Sequence, residues 1–169
     1  MTQEGTRVQT TGKAWLIVGT LLAASLGVRA DLTTAATPPS TATRCPLTQA
    51  GYGDPAYKPN TPVRPHVGSG FVLTGIVRSG IDCSALKGAR VEFWLRGPDG
   101  QYDDVHRGTV VTDGSGKYRF ESNFPGGSGL QPHIHLRVAV PGYRTLVTVY
   151  FAHPGATAGT FDFVLEPEV

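Results

Sequence analysis

Residues Gln131 to Val138 read QPHIHLRV, which places His133 and His135 one residue apart in a stretch with the alternation of a β-strand. A strand turns alternate side chains to the same face, so the two imidazoles look out together while Ile134 and Leu136 point to the opposite, apolar side. Two uses fit such a pair. Side-by-side imidazoles are half of a metal site if further donors arrive from elsewhere in the chain. Otherwise they are polar residues on the solvated face of a half-exposed strand.

The further donors have to come from loops. Tyr102, in GPDGQYDD, stands just past the apolar segment ARVEFWLR, where a phenol could swing over the sheet. Its plain alternative is a tyrosine that caps a turn with its amphipathic ring. His106, in DDVHR, is another loop donor of a kind more often solvated than ligating. His66 and His153 stand beside prolines and read as surface residues.

The elements that must position these side chains are strands. From Gly70 onward, apolar and polar residues alternate in seven short segments, at 71–78, 89–96, 108–113, 117–122, 133–140, 143–151 and 160–166. Between them lie GPDGQ, DGSG, FPGGSG, PGY and HPGATAG, rich in the residues that turns demand. No sustained helical period occurs after residue 30. The pattern predicts an all-β chain, an antiparallel β-sandwich of about seven to nine strands, transthyretin-like or immunoglobulin-like.

The front of the 169-residue chain has a different character. Residues 1–13 are polar and carry Arg7 and Lys13, residues 14–28 (AWLIVGTLLAASLGV) are almost continuously apolar, and Ala30 offers a small residue before Asp31. The apolar run is short for a membrane span and suits a secretory signal, so residues 1–30 are expected to be a signal peptide and the protein secreted or extracytoplasmic. Association with a membrane follows only if this segment stays uncleaved as an anchor. Residues 31–44 (DLTTAATPPSTATR) lack periodicity and read as a flexible Thr/Ala/Pro linker, which leaves 45–169 as the folded domain.

The chain has 15 basic and 13 acidic residues, and residues 1–30 hold three of the former and one of the latter, so the remainder is close to neutral. A nucleic-acid partner is therefore not indicated. Cys45 and Cys83 are the two cysteines. In an exported protein an even pair reads as a disulfide, here tying the N-terminal arm of the domain to its body, with two separate buried thiols as the alternative.

LTGIVRSGIDCSALKGARVEFWLRGPDGQY, TVVTDGSGKYRF, PHIHLRVAVPGYRTLVTVYF and FDFVL follow one another in an order and spacing that resemble the intradiol ring-cleavage dioxygenases, the catechol and protocatechuate dioxygenase group. The likeness is to their short, exported bacterial branch and covers roughly residues 45–166. It implies a non-haem Fe(III) centre and the oxidation of a small aromatic diol, a catechol, by O2. Carried over position by position, His133 and His135 match the family's histidine pair and Tyr102 its first tyrosine. A hard ferric ion favours phenolate oxygen and accepts imidazole nitrogen, so the donor types agree with that metal. The cysteines before PLT and in CSALKGA also resemble the exported branch and accord with a Cys45–Cys83 bridge.

The site is degenerate against that pattern. Gly127 or Ser128, in FPGGSGLQP, stands where the family has its second tyrosine ligand. Leu130 or Gln131 replaces the arginine ahead of the histidines, and Thr148 replaces a glutamine. The arm GYGDPAYKP resembles the family's EGPYY stretch beside the site, which makes Tyr52 or Tyr57 a candidate for the second phenol. The resemblance thus implies an intradiol-type dioxygenase with a weakened iron site and weak or lost activity. The alternative is a non-catalytic β-sandwich binding module that keeps the family frame, since GARVEFW, TDGSGKYRF and PGYRTL also resemble carboxypeptidase-regulatory sandwich domains. Substrate-binding residues and oligomeric state are not legible.

Overall fold

The computed structural model describes Gly12 and residues 45–51, 56–126, 129 and 131–168. Gly12 aside, these fall in the unit Ser40–Val169. Gly12 apart, the expected signal segment and linker lie outside the described residues, as do Tyr52, Gly127, Ser128 and Leu130.

Eight strands form two sheets among the described residues: β1 (Phe71–Ser79), β2 (Arg90–Trp94), β3 (Arg107–Val111), β4 (Lys117–Ser122), β5 (His133–Ala139), β6 (Leu146–Phe151), β7 (Ala158–Thr160) and β8 (Phe163–Leu165). One sheet runs β3-β2-β5-β6, antiparallel throughout. The other is built around β1, with β4 antiparallel on one side and β7 and β8 parallel on the other. The all-β sandwich read from the sequence is the fold, and the two parallel pairings qualify its antiparallel character.

Alternation explains why these residues take these places. In β1 every second residue is buried, and in β5 Ile134, Leu136 and Val138 are wholly inaccessible while the residues between them are not. The inward faces interlock, with Phe93 of β2 stacked on Phe120 of β4 at 3.8 Å between ring centroids. Phe71, Leu73, Val77, Val91, Leu95, Phe163 and Leu165 belong to the same core. Each large apolar side chain buried in this way contributes roughly 1.5–3 kcal/mol.

Two expected strands are shaped differently by their turns. The segment expected at 143–151 begins at Leu146, because Gly142 takes a φ of 85° and Tyr143 N donates to Val140 O in a turn. The segment expected at 160–166 is divided into β7 and β8 at Phe161 and Asp162. There the ladder is replaced by Phe161 N bonding Thr74 O, Tyr118 Oη bonding Phe161 O, and Ile76 N bonding Asp162 Oδ1. Gly75 is required at this crossing, since a Cβ would run into the Phe161 carbonyl and the Tyr118 ring.

Two arms cover open edges that would otherwise present unpaired backbone groups. Thr48 N bonds Val164 O and Gly51 N bonds Val147 O, so residues 48–51 link β8 to β6. Cys45 is bonded to Cys83 with Cα atoms 5.4 Å apart, inside the range a disulfide needs. At the other side, Arg64 N bonds Thr109 O and Glu121 N bonds Pro65 O, laying residues 61–67 along β3 and β4.

Candidate metal centre

The outer face of the β3-β2-β5-β6 sheet carries the candidate site. The register pairs Trp94 with His135 and His133 with Phe151, so His133, His135 and Arg137 of β5 share this face with Glu92 and Trp94 of β2. The sequence-based expectation that the two imidazoles look out together is met.

Tyr102 reaches them from the connection between β2 and β3. Gly97 N bonds Gln101 O, Gly100 closes the turn with a φ of 79°, and Gln101 N bonds Asp99 Oδ1, which reverses the chain directly before the tyrosine. Directly after it, Asp103 Oδ1 accepts from Val105 N and His106 N and lies 2.9 Å from His106 Nδ1. His106 is thereby a structural residue of the loop. The phenol oxygen, held between these two locked turns, lies 3.1 Å from Nε2 of His133 and 3.1 Å from Nε2 of His135.

Both rings are oriented by neighbours. His133 Nδ1 lies 2.7 Å from the Gln131 carbonyl, which can only accept, so Nδ1 carries the proton and Nε2 turns a lone pair toward Tyr102. Trp94 stacks on His135 with centroids 5.4 Å apart and planes 10° from parallel. The histidine rings themselves stand edge to face at 4.9 Å. All three donor residues are half-buried.

These donors fit the metal that the resemblance implies. Ligands bound at about 2.0–2.2 Å and at right angles to one another are separated by about 2.8–3.1 Å, the spacing found here from phenol oxygen to each imidazole nitrogen. One oxygen and two nitrogens of this type suit ferric ion. Without a metal the same atoms satisfy each other, the phenol proton going to His133 Nε2 and an N–H of His135 reaching the phenol oxygen. Among the described residues, no group of three or more His, Cys, Asp or Glu that could hold a metal is gathered anywhere, so the centre rests on the phenol as its third donor.

The other expected contributors fall elsewhere. Tyr57 Oη bonds Glu92 Oε2 at 3.1 Å, and its ring packs on Trp94 at 5.3 Å, so its hydroxyl serves Glu92 and not the histidine pair. Burial, and next the Glu92 carboxylate, push the Tyr57 phenol up, which keeps it protonated. Thr148 faces the opposite side of the sheet, across from Leu136, with Oγ1 bonded to Gln49 O at 3.0 Å. His153 is exposed, as is His66, whose Nδ1 is 3.6 Å from Glu121 Oε2.

Several neighbours of the site were not singled out from the sequence. Trp94 is the stacking support of His135. Glu92, only 4% exposed, accepts from Arg137 Nη1 at 2.7 Å and from Tyr57, and this cluster holds the chain before residue 61 against the sheet. Arg96 places its guanidinium carbon 5.3 Å from the centroid of the Tyr102 ring. The available signal was alternation within VEFWLR, which puts Glu92, Trp94 and Arg96 on one side.

No family model matches the chain. Chlorocatechol 1,2-dioxygenase of Cupriavidus pinatubonensis is 26% identical over 112 residues, covering 50% of this chain and 44% of that protein. Catechol 1,2-dioxygenase of Candida albicans is 29% identical over 133 residues, covering 56% of this chain and 43% of the relative. The chain thus spans less than half the length of these curated relatives. Among solved structures, the dioxygenase domain of a dioxygenase and carbohydrate-binding protein fusion from Streptomyces sp. SirexAA-E has a TM-score of 0.64 at 26% identity, over 73% of this chain and 100% of that domain. An intradiol ring-cleavage dioxygenase of Tetranychus urticae has the same fold, with a TM-score of 0.64 at 19% identity over 73% of this chain and 96% of its own.

Proposed function

We propose, from this likeness in sequence and fold to intradiol ring-cleavage dioxygenases, that Tyr102, His133 and His135 hold non-haem ferric iron and that the protein oxidises a small catechol-type diol with O2. The observation that carries the reading is the meeting of one phenol oxygen and two imidazole nitrogens at 3.1 Å on the outer face of one sheet. The two curated relatives are named for chlorocatechol and catechol, and that substrate class comes to this chain as part of the proposal.

Bound iron would supply the Lewis-acid and redox chemistry that lets a coordinated catechol react with O2. The protein's own part is preorganisation. Gln131 O fixes the tautomer of His133, Trp94 fixes the plane of His135, and the two turns around Tyr102 hold a loop-borne oxygen against strand-borne nitrogens. The polar functions that the resemblance places at Gly127 or Ser128, at Leu130 or Gln131, and at Thr148 are not supplied by those residue types. Losing one preorganised polar group commonly costs about a hundredfold or more in rate, so slow turnover is expected.

A second reading is a non-catalytic sandwich module. Its support is that the phenol oxygen lies within hydrogen-bond distance of both Nε2 atoms, a contact that needs no metal. The two readings part on iron loading followed by oxygen uptake with catechol, comparing the native chain, His133→Ala and Ser128→Tyr. Iron retention and slow uptake in the native chain, both lost in His133→Ala, support the dioxygenase. No retained iron and no difference from His133→Ala favour the binding module.

The setting is proposed to be extracytoplasmic, on the charge and hydropathy pattern of residues 1–30. Mass analysis of the exported protein should find a chain that begins near Asp31. A full-length product held in the membrane fraction would favour the uncleaved anchor.

A further inference from the structure

Arg96 stands two residues beyond Trp94, and alternation turns it to the same side of the sheet, since Leu95 between them is wholly buried in the core. Its guanidinium carbon is 5.3 Å from the Tyr102 ring centroid, within the distance at which a cation is held by an aromatic face. Its backbone is fixed from a separate connection, the Arg96 carbonyl accepting from Asn123 Nδ2 at 3.1 Å and from Gly126 N at 3.5 Å. The opposite requirement belongs to Tyr102, a loop residue whose ring has to be aimed at two strand-borne nitrogens. The His135 ring also meets it, in an edge arrangement at 5.8 Å.

We propose that Arg96 is a positioning residue for Tyr102, holding the ring over the histidine pair through its guanidinium and tuning the phenol oxygen as a metal donor. The tuning half rests on the reading of Tyr102 as a ligand; the positioning half does not. A planar guanidinium lies flat on a ring, so Arg96 restrains the tilt of Tyr102 as well as its height above the sheet. A positive charge beside the ring also lowers the energy of the filled orbital from which a phenolate donates. That widens the gap to the metal's half-filled d orbitals and moves a phenolate-to-metal charge-transfer band to shorter wavelength. Lysine would keep the charge and lose the planar fit, whereas glutamine would lose the charge.

The test has two arms. In the metal-free protein, through-space NMR contacts between the Tyr102 and His135 rings are compared in the native chain, Arg96→Gln and Arg96→Lys. Their loss in Arg96→Gln and partial retention in Arg96→Lys are expected, with the Ile134 and Leu136 methyl signals unchanged as the check on folding. In the second arm the same proteins and Tyr102→Phe are loaded with ferric ion and their visible spectra recorded. The native band should vanish in Tyr102→Phe, move to longer wavelength in Arg96→Gln, and stay close to native in Arg96→Lys. Ring contacts and band that are the same in Arg96→Gln as in the native chain would overturn the inference. A native chain without any band overturns the proposed function instead, and the ring contacts of the metal-free arm then decide the positioning role.

Discussion

The hydroxyl of Tyr102 lies 3.1 Å from Nε2 of His133, although 31 positions separate the two residues and one is on a loop while the other begins a strand. His135 Nε2 meets the same oxygen at the same distance. One atom thus serves two partners, and its removal affects both.

Replacing that oxygen should separate structure from metal binding. Tyr102→Phe keeps the ring and loses one neutral hydrogen-bonding group, a cost of about 1 kcal/mol in stability. Its iron retention should fall by about a hundredfold or more, beyond what changes to groups that merely orient a ligand usually cost. Equilibrium dialysis against a ferric chelate, beside urea unfolding, checks both. Ser128→Tyr or Gly127→Tyr should instead raise iron affinity and deepen the colour, following the family pattern.

Glu92 is a buried carboxylate whose charge is paired with Arg137 at 2.7 Å, with Tyr57 completing the cluster. Glu92→Leu should destabilise the fold by about 2–3 kcal/mol, less than a fully buried pair because the Arg137 side chain keeps 29% exposure to water. Glu92→Leu combined with Arg137→Leu should recover part of that loss, so the double-mutant cycle in urea should report coupling. Strictly additive losses would mean that the pair does not act together.

The Asp113 turn sets an acid dependence. The Ser115 hydroxyl, then the backbone N–H groups of Lys117 and Ser115, donate to its carboxylate and hold it below the usual carboxylate range. A lowered folded-state pKa means that the unfolded chain takes up the proton first as the pH falls. The stabilisation is therefore complete above the ordinary aspartate value of about 3.9 and disappears as the pH drops through the folded value beneath it. Asp113→Asn keeps an acceptor oxygen and loses the titration. The stability difference between native chain and variant should be constant above about pH 5 and shrink below about pH 4, as read from urea midpoints.

The disulfide closes a sequence separation of 38 residues. The chain-entropy relation for a loop of that size gives about 3–4 kcal/mol. Cys45→Ser with Cys83→Ser should lower stability by that amount and free the arm that links β8 to β6. Hydrogen exchange should show the loosening first at Gly51, whose N–H bonds the Val147 carbonyl across the edge.

How far the site was legible differs from residue to residue. His133 and His135 were readable because a strand has a period of two, so their shared face follows from local geometry alone. Tyr102 was readable only by its place in a motif, since no rule of spacing says where a loop carries a side chain. Tyr57 shows the opposite case. Its sequence context made it a candidate donor, and packing against Trp94 with a bond to Glu92 gave it another task.

By itself the sequence determined the all-β class, the inward and outward faces of the strands, and the two-histidine half of the centre, because alternation and turn chemistry act over a few residues. The tertiary structure decided what depends on contacts between distant segments. It divided the last expected strand where Asp162 and the Phe161 carbonyl replace ladder bonds, and it set β7 and β8 parallel to β1. It also turned Thr148 away from the histidines, brought the Tyr102 oxygen to both imidazoles, and laid Arg96 against the ring. Each of these is a meeting of side chains or backbone groups from different elements. Burial and hydrogen-bond satisfaction settle such meetings for the whole chain at once, which no short stretch of residues encodes.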